Sequence, residues 1–363
     1  MTFLLNTSRT GLRSRVAAVA AALALAASGL AGCGSGGTSA TEAAAGPPEA
    51  VDSAAWDKIV EAANEEGTLN WYFSVGSSDQ IIADFNQAYP DINVKSTFAG
   101  TADLIPKLDQ EIEAGVKSAD VVMHASPGWF IDRYEQDKFA ALKVAPEQAD
   151  AGWEDMLGGN SYATVLAIPF TISSTGDNPT YTDVQSLLDA QPNAKLGLLD
   201  PHSSVAAAFA WDTIRQEFGD DILDKVAKSN YAVESSNTPL GQSLAAGSFD
   251  YGFPGLASVS TPLVAKGAKI TETVPEKAAS GPQYNAAVMT TAPHPNAAYV
   301  FVNWLMSQQG GASFVKNLYP AGVPLDVEGS VPFDSIKSYD PKEWTNDKWN
   351  EWIAQYWTPR FGG

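Results

Sequence analysis

Along most of the chain, segments with the hydrophobic periodicity of a helix alternate with short runs typical of strands. Apolar residues at helical spacing predict helices over 56–66, 78–89, 102–114 and 129–139. Short runs rich in β-branched and aromatic residues predict strands over 69–75, 92–98 and 120–124. Because a strand and a helix alternate three times in succession, this part of the chain is expected to form an open α/β sheet with parallel strands.

A second set of elements follows the segment Ile168-Pro169-Phe170. Its predicted strands cover 196–199, 249–253, 270–274 and 284–290. Its predicted helices cover 204–218, 242–246, 295–308 and 311–317. The chain therefore leaves one domain, builds another and returns, and its length from residue 51 onward is sufficient for two domains.

The start of the chain has a different pattern. Arg9, Arg13 and Arg15 precede an apolar run, and small residues lead to Leu30-Ala31-Gly32-Cys33. This order is typical of a secretory signal, and the run is short for a membrane span, which needs about 20 apolar residues. A cysteine directly after the cut resembles bacterial lipoprotein signals, so we expect a signal peptide at 1–32 and a lipidated, acylated Cys33 as the mature N-terminus.

Composition narrows the possible partners. Residues 33–51 are rich in Gly, Ser and Ala and are expected to form a flexible tether. The formal net charge is −20 and becomes more negative once the leading arginines are removed, which disfavours nucleic acid and anionic lipid as partners. Cys33 is the single cysteine, so the exported domain is expected to be stabilised by its core without disulfides.

Several segments carry a further pattern, and they occur in a fixed order along the chain. They are Glu65-Glu66-Gly67-Thr68-Leu69, the segment 85–94 (FNQAYPDINV), Ala119-Asp120-Val121-Val122, Leu198-Leu199-Asp200-Pro201, 291–298 (TAPHPNAA) and 301–307 (FVNWLMS). Together they resemble the extracellular solute-binding proteins of bacterial ABC importers, in the branch that includes ferric-iron-binding proteins. The resemblance covers nearly all of the mature chain.

The resemblance implies an α/β fold of the type II periplasmic-binding-protein kind, with two lobes, a hinge and a cleft between the lobes. We expect lobe 1 at 52–172, with 268–310 returning to it, and lobe 2 at 173–267, with 311–363 packing on it. The implied function is capture of a small-molecule solute and its delivery to a membrane permease. This needs no catalysis, cofactor or metal, and it suits a monomer anchored to the outside of the cell membrane.

Candidate contacts in the first lobe lie where strands give way to helices, because ligands of open parallel sheets bind outside the carboxyl ends of the strands. The side chains offered there are Ser77, Ser78, Thr101, His124, Ser126 and Trp129. Ser77 and Ser78 can also cap the following helix, and Trp129 can be packing instead. A lone His124 can equally be a hydrogen-bonded structural residue.

Candidate contacts in the second lobe are His202, Ser203, Ser204 and Phe253. The resemblance implies that the segment after Asp200-Pro201 holds an anion, so Ser203 and Ser204 are the leading candidates. Helices that begin at such loops point unpaired N–H groups outward, which favours an anionic group. The aromatic residues near the C-terminus, at a spacing of three to five, predict a helix that packs on the second lobe.

The chain departs from its iron-binding relatives at their metal ligands. The expected tyrosine pair falls at Pro254-Gly255, the histidine at Ser77-Ser78 and the carboxylate near Ala125. A naked ferric ion is therefore disfavoured, and a small organic solute with a carboxylate, phosphate or phosphonate group is the leading interpretation. Ferric iron or an iron chelate and a polyamine-type cation, which the negative charge would attract, remain alternatives.

An enzyme is the competing class of protein. The chain has no Gly-x-Ser-x-Gly, His-Glu-x-x-His or Gly-x-x-x-x-Gly-Lys motif. His124, His202 and Asp200 are the residues that could supply acid and base groups on this scaffold. A surface adhesin or structural lipoprotein is a third possibility, which would not need a ligand trap.

Overall fold

The computed structural model describes residues 49–76, 78–150 and 157–362, and this part of the chain contains two large β-sheets flanked by helices. The predicted Cys33 anchor, the signal peptide, nearly all of the tether and Ser77 lie outside the described residues. The strands, in chain order, are β1 (Glu49–Ala50), β2 (Thr68–Phe73), β3 (Asn93–Phe98), β4 (Val121–His124), β5 (Lys143–Val144), β6 (Leu157–Gly158), β7 (Tyr162–Ala167), β8 (Thr171–Thr175), β9 (Lys195–Leu199), β10 (Asn230–Glu234), β11 (Tyr251–Gly255), β12 (Ile270–Thr273) and β13 (Gln283–Val288).

Helices alternate with most of these strands. They are α1 (Ser53–Glu66), α2 (Ser78–Ala88), α3 (Thr101–Glu113), α4 (Pro127–Glu135), α5 (Pro146–Asp150), α6 (Val184–Ala190), α7 (Val205–Phe218), α8 (Asp221–Ala227), α9 (Asn237–Ala245), α10 (Ala257–Val264), α11 (Pro295–Leu305), α12 (Gln308–Leu318), α13 (Asn346–Trp352) and α14 (Thr358–Phe361). Single helical turns lie at Pro201–Ser203 and Phe333–Ser335, and a π-helical turn at Ile353–Trp357 joins α13 to α14. No helix among the described ranges is long and apolar enough to cross a membrane.

Local sequence sets the ends of these elements. The Asp52 carboxylate accepts a hydrogen bond from the Ala55 amide at 2.8 Å and so caps the start of α1. The same helix ends at Gly67, whose φ of 61° lies in the left-handed region that glycine tolerates best. The start of α11 is capped from outside by the Glu66 carboxylate, which accepts from the backbone amides of Asn296 and Ala297.

The first sheet has the strand order β3-β2-β4-β13-β7-β6. Strands β2, β3 and β4 are parallel, whereas β13 runs antiparallel to both β4 and β7. Its main core combines aliphatic side chains with packed aromatic rings: Trp71 stacks on Phe73 at 3.9 Å, and Phe301 meets Phe85 edge-on at 4.9 Å between ring centroids. Each such ring buries a large apolar area and so contributes strongly to the stability of the core.

The second sheet has the strand order β10-β9-β11-β8-β12. Strand β9 is parallel to β10 and β11, and β8 is antiparallel to β11 and β12. Trp211 lies at the centre of its core and packs against Phe253 and Trp357, with ring centroids at 5.5 and 5.1 Å. The two sheets therefore have separate cores, which confirms the predicted α/β fold with two lobes.

Three chain segments pass between the two sheets. The Phe170 amide donates to the Ser280 carbonyl at 2.8 Å, which joins the outgoing segment to the returning one. Lys337 brings in the third segment, since its amide donates to the Ala279 carbonyl at 3.0 Å and its carbonyl accepts from Gly281 at 3.1 Å. The crossover is thus a small hydrogen-bonded ribbon of three segments.

Sheet pairing corrects two of the predicted lobe boundaries. The segment 270–273, expected in lobe 1, is strand β12 of the second sheet because it pairs with β8 along its whole length. Residues 311–327, expected to pack on lobe 2, instead contribute Phe314, Leu318 and Val323 to the core of the first sheet. The chain returns to the first sheet only after residue 279, and the segment that packs on the second core contains 339–361.

Candidate functional site

The carboxyl ends of β2 and β3 bring two hydroxyl groups together. Ser74 directly follows β2, and Thr101 begins α3 three residues after β3 ends. The Thr101 hydroxyl donates to the Ser74 hydroxyl at 2.9 Å, and both side chains are half-buried. Of the predicted site residues, Thr101 therefore lies at the expected edge. Its hydrogen bond leaves further lone pairs on both oxygens for a ligand.

Two helices begin beside this hydroxyl pair. Ser78 is the first residue of α2 and is half-buried, while Ser77 lies outside the described residues. The first turns of α2 and α3 present backbone N–H groups that have no partner within the helix. Such groups carry a partial positive charge and favour an anion.

His124 ends β4 but does not open onto solvent. Its side chain is fully buried, and the ring lies 4.8 Å from the Trp129 ring and 4.6 Å from that of Phe130. Neither ring nitrogen has a hydrogen-bond partner. Burial lowers the pKa of His124 from 6.5 to about 3, opposed by the charge of Asp109, so the imidazole is neutral at physiological pH. The prediction that His124 contacts solute at the cleft mouth is therefore corrected: burial leaves no ring surface for such a contact.

The loop after β4 contains two other predicted contacts. Ser126 is half-buried, and its carbonyl accepts from the Trp129 amide at the start of α4. Trp129 has an exposed fraction of 6%, its indole donates to Asp109 at 2.8 Å, and the Arg133 guanidinium lies over its ring. Trp129 therefore anchors α4 to α3, which corrects its expected role in ligand contact. Ser126 remains available at the loop.

The loop after β9 is the most exposed of the predicted segments. Asp200 organises it, because its carboxylate accepts from the His202 amide at 2.8 Å and contacts His202 Nδ1 at 2.6 Å. The Ser204 hydroxyl caps α7 by accepting from Ala207 at 3.1 Å. The side chains of His202, Ser203 and Ser204 are all exposed. The structure thus brings these three predicted residues together in front of the N-terminus of α7.

A tryptophan from the C-terminal segment holds this loop in place. The Trp349 indole donates to the Pro201 carbonyl at 3.0 Å, across 148 positions of sequence. Helix α13, which carries Trp349, is itself fixed by Trp352, whose indole donates to Asp212 at 2.7 Å. Sequence reasoning identified this aromatic helix as packing, but no sequence signal indicated that it supports a candidate binding loop.

Phe253 is a third predicted site residue that the structure buries. Its side chain has an exposed fraction of 1% and packs on Trp211 in the core of the second sheet. This corrects its expected role as a ligand contact. Side chains alternate between the two faces of a strand, and Phe253, in the middle of β11, is on the face that packs into the core.

The carboxyl ends of the two sheets meet at the crossover. Strand β7 is parallel to β4 and ends at Ala167, and the chain then enters β8 at Thr171, opposite Gly255 at the carboxyl end of β11. Leu256, which follows β11, packs against the cores of both sheets. The loops after β2, β3 and β4 and those after β9 and β11 therefore lie at the strand ends nearest the crossover.

The basic residues of these loops are few. The described arginines are all paired elsewhere: Arg133 with Asp109, Arg215 with Asp212 and Asp220, and Arg360 with Asp224. Within the described ranges, no group of three or more His, Cys, Asp or Glu side chains could hold a metal ion. The candidate loops therefore offer hydroxyl groups, one exposed imidazole and helix N-termini.

A model of the family of bacterial extracellular solute-binding proteins matches residues 77–319 of this chain. The chain belongs to this family. The match extends from the start of α2 through both lobes to the end of α12, so it includes every candidate loop except the residues before 77. It confirms the resemblance drawn from the sequence, and it agrees with a binding protein that works outside the cytoplasm. No curated protein sequence is similar enough to this solute-binding protein to count as a match.

Solved structures with the same fold come from substrate-binding proteins. The substrate-binding protein of an ABC transporter from Agrobacterium tumefaciens superposes with a TM-score of 0.62 at 15% identity, covering 80% of this chain and 96% of that one. Iron-bound HitA from Pseudomonas aeruginosa gives 0.59 at 15% identity, with coverages of 79% and 97%. AfuA from Actinobacillus pleuropneumoniae, with bound fructose-6-phosphate, gives 0.59 at 18% identity, with coverages of 81% and 98%. These likenesses establish the two-lobe fold of our solute-binding protein.

Proposed function

We propose that this protein captures a small organic solute between its two lobes and delivers it to the permease of an ABC importer. A solute that contacts both lobes stabilises the closed arrangement through its differential affinity for the two states, and a permease can then distinguish loaded from empty protein. The proposal includes a lipid anchor on Cys33 and a monomeric protein outside the cell membrane. The sequence Leu30-Ala31-Gly32-Cys33 supports the anchor.

The single observation that carries the binding role is the family match over 77–319. The proposed contacts are Ser77, Ser78, Thr101 and Ser126 of the first lobe and His202, Ser203 and Ser204 of the second. Ser74 joins them because its hydroxyl is bonded to that of Thr101. For the described members of this set, the proposal rests on their position in the loops and first helical turns that follow strands next to the crossover, where solutes of open α/β sheets bind.

An anionic group on the solute is the chemistry that these loops favour. They offer hydroxyl groups and the N-termini of α2, α3 and α7, which stabilise a negative charge through backbone N–H groups. No arginine or lysine lies in 74–79, 99–101, 124–129 or 200–205. A dicarboxylate that needs a bidentate arginine is therefore disfavoured. We infer a solute with one phosphate, phosphonate or carboxylate group and further hydroxyls.

Ferric iron and a polyamine are the two alternative solutes. Ferric iron would need anionic oxygen ligands, whereas the positions of the expected tyrosine pair hold Pro254-Gly255. A polyamine would be drawn by the net charge of −20, but a diffuse field is screened beyond about 8 Å and the local donors favour an anion. The family is one of solute-binding proteins, so the interpretation as an enzyme on this scaffold is less favoured than that as a binding protein.

Thermal unfolding with matched solutes tests the proposal. Fructose-6-phosphate, hydroxymethylphosphonate and lactate should be compared with fructose, spermidine and ferric citrate. A solute that binds only the folded protein raises the melting temperature, and 100-fold excess over Kd corresponds to about 2.7 kcal/mol. We expect a rise with at least one member of the anionic group and none with fructose. Stabilisation by spermidine or ferric citrate alone would reject the anionic cargo.

Matched helix-cap variants locate the binding site. Ser204→Ala removes the cap of α7 in the proposed site, and Ser307→Ala removes the cap of α12, where the hydroxyl accepts from Gly310 at 3.2 Å. Each change should cost about 1 kcal/mol of stability. We expect only Ser204→Ala to weaken binding of the active solute as well. Equal affinities for the two variants would remove the loop after β9 from the site.

A further inference from the structure

A second pocket lies on the helical side of the first lobe, outside the candidate cleft. It has a volume of about 330 Å³ and is bordered by α1, the end of α2, α5 and the junction of α11 with α12. None of the residues that line it belongs to the candidate loops after β2, β3, β4, β9 or β11. This pocket is therefore separate from the proposed cleft.

Aromatic rings form much of its wall. Trp56 of α1, Tyr89 after α2 and Trp304 of α11 all line the pocket. Trp304 is fixed from behind by Phe85, with ring centroids 5.4 Å apart, while Trp56 and Tyr89 remain half-buried. Rigid aromatic faces beside a cavity attract a cation through the ring quadrupole and also bind an apolar body.

The charged residues that line the pocket are both acidic. They are Asp57 of α1 and Glu147 of α5, and both side chains are exposed. Neither carboxylate has an ion-pair or hydrogen-bond partner among the described residues. Burial and the charge of Glu147 both raise the pKa of the Tyr89 phenol. The Glu147 carboxylate therefore lies close enough to the Tyr89 ring for a ligand to contact both. A cation would meet no basic side chain in the pocket wall.

A buried amide in the same pocket is also without a partner. Gln148 has an exposed fraction of 5%, lines the cavity, and its side chain makes no hydrogen bond to a described residue. The neighbouring Asn303 differs, because its amide accepts from Ala145 at 2.8 Å and donates to Lys143 and Tyr299 carbonyls. Buried polar groups are nearly always satisfied, so an amide left free at a cavity is available to a ligand.

We propose that this pocket binds a small organic cation, an amine with an apolar or aromatic body. The carboxylates of Asp57 and Glu147 pair with the ammonium group, the Gln148 carbonyl accepts one of its N–H groups, and the rings of Trp56 and Trp304 cover its carbon skeleton. A hard divalent cation is less suitable, because it takes six or more oxygen ligands and has no use for aromatic walls. An anion is repelled by both carboxylates.

Ligand-observed fluorine NMR on the full chain tests this site. The probe is 4-fluorophenethylammonium, and the neutral control of equal shape is 2-(4-fluorophenyl)ethanol. We expect the ammonium probe to bind with Kd on the order of 1 to 10 mM, as suits a ligand of this size, and the alcohol to bind at least about threefold more weakly. Absence of binding at these concentrations, or equal binding of both probes, would overturn the proposal.

Paired variants distinguish this pocket from any other site for the probe. Glu147→Gln together with Asp57→Asn should weaken the ammonium probe about tenfold, since each exposed ion pair contributes a few-fold. Glu61→Gln together with Glu65→Gln is the matched control, because it removes two exposed charges from α1 that do not line the pocket. A probe affinity that is the same in both variants would assign the binding elsewhere and reject the site.

Discussion

The buried imidazole of His124 makes the stability of this protein depend on pH in a predictable direction. Its pKa is lowered to about 3 in the folded protein and is about 6.5 when unfolded. Between these values the unfolded chain binds more protons, so stability is lost as the pH falls from 6.5 towards 3. From pH 7 to pH 5 the loss attributable to His124 is about 2 kcal/mol.

Two substitutions separate the charge of His124 from its polarity. His124→Leu removes the titrating group together with two ring nitrogens that have no partner. It should raise the free energy of unfolding at pH 7 by about 1–3 kcal/mol, since an unsatisfied buried polar group is destabilising. His124→Gln also removes the titration but keeps an unsatisfied polar group, so it should bring no such gain at pH 7.

Urea unfolding at pH 7 and pH 5 measures both effects. Other groups in the protein can also change the stability over this pH range. Because the variants keep those groups, subtracting the loss of a variant from that of the unchanged protein leaves the contribution of His124. We expect the unchanged protein to lose about 2 kcal/mol more between the two pH values than either variant does. Equal losses in all three proteins would refute the assignment of a neutral, solvent-free imidazole to this position.

Three further substitutions test contacts described above. Trp349→Phe keeps a ring but removes the hydrogen bond to Pro201, so it should cost about 1 kcal/mol and speed amide exchange in the loop before α7; unchanged exchange would mean that the loop holds itself. Glu66→Ala removes the cap of α11 and should lower the free energy of unfolding by about 1–2 kcal/mol in denaturant titrations. In Gly281→Ala the added carbon would lie 2.1 Å from a backbone oxygen of the crossover, so we expect about 1–3 kcal/mol of destabilisation in thermal melts. Gly76→Ala, which meets nothing within 4 Å, is its control, and equal melting temperatures would contradict the clash.

Strand-to-helix periodicity was enough to predict α/β layers, because each element carries its own pattern, and the two-lobe arrangement was predicted from the resemblance to solute-binding proteins. The predicted helix 204–218 corresponds to α7, and the end of the predicted strand 249–253 overlaps the start of β11, which covers Tyr251–Gly255. The lobe boundaries were harder to predict. Whether 270–273 joins the first or the second sheet depends on which strand it pairs with, and pairing is a long-range choice that local sequence does not encode.

The loops that hold the candidate residues were predictable, but the directions of their side chains were not. Ser204 and Thr101 lie at the starts of helices that follow strands, where topology alone puts them. Trp129, in α4, and Phe253, in the middle of β11, instead turn into the cores, where Trp129 meets Asp109 and Phe253 meets Trp211. The direction of such a side chain depends on which helix packs against its element, and the local pattern of the sequence does not identify that helix.

The three-segment crossover bears on how the two lobes could move in the capture proposed above. A twist of one lobe against the other would strain the hydrogen bonds that Lys337 makes to the Ala279 and Gly281 backbones, whereas a bend would disturb them less. If the lobes close on a solute as proposed, we expect closure to follow one bending direction, so that the same loops face each other in every closed complex.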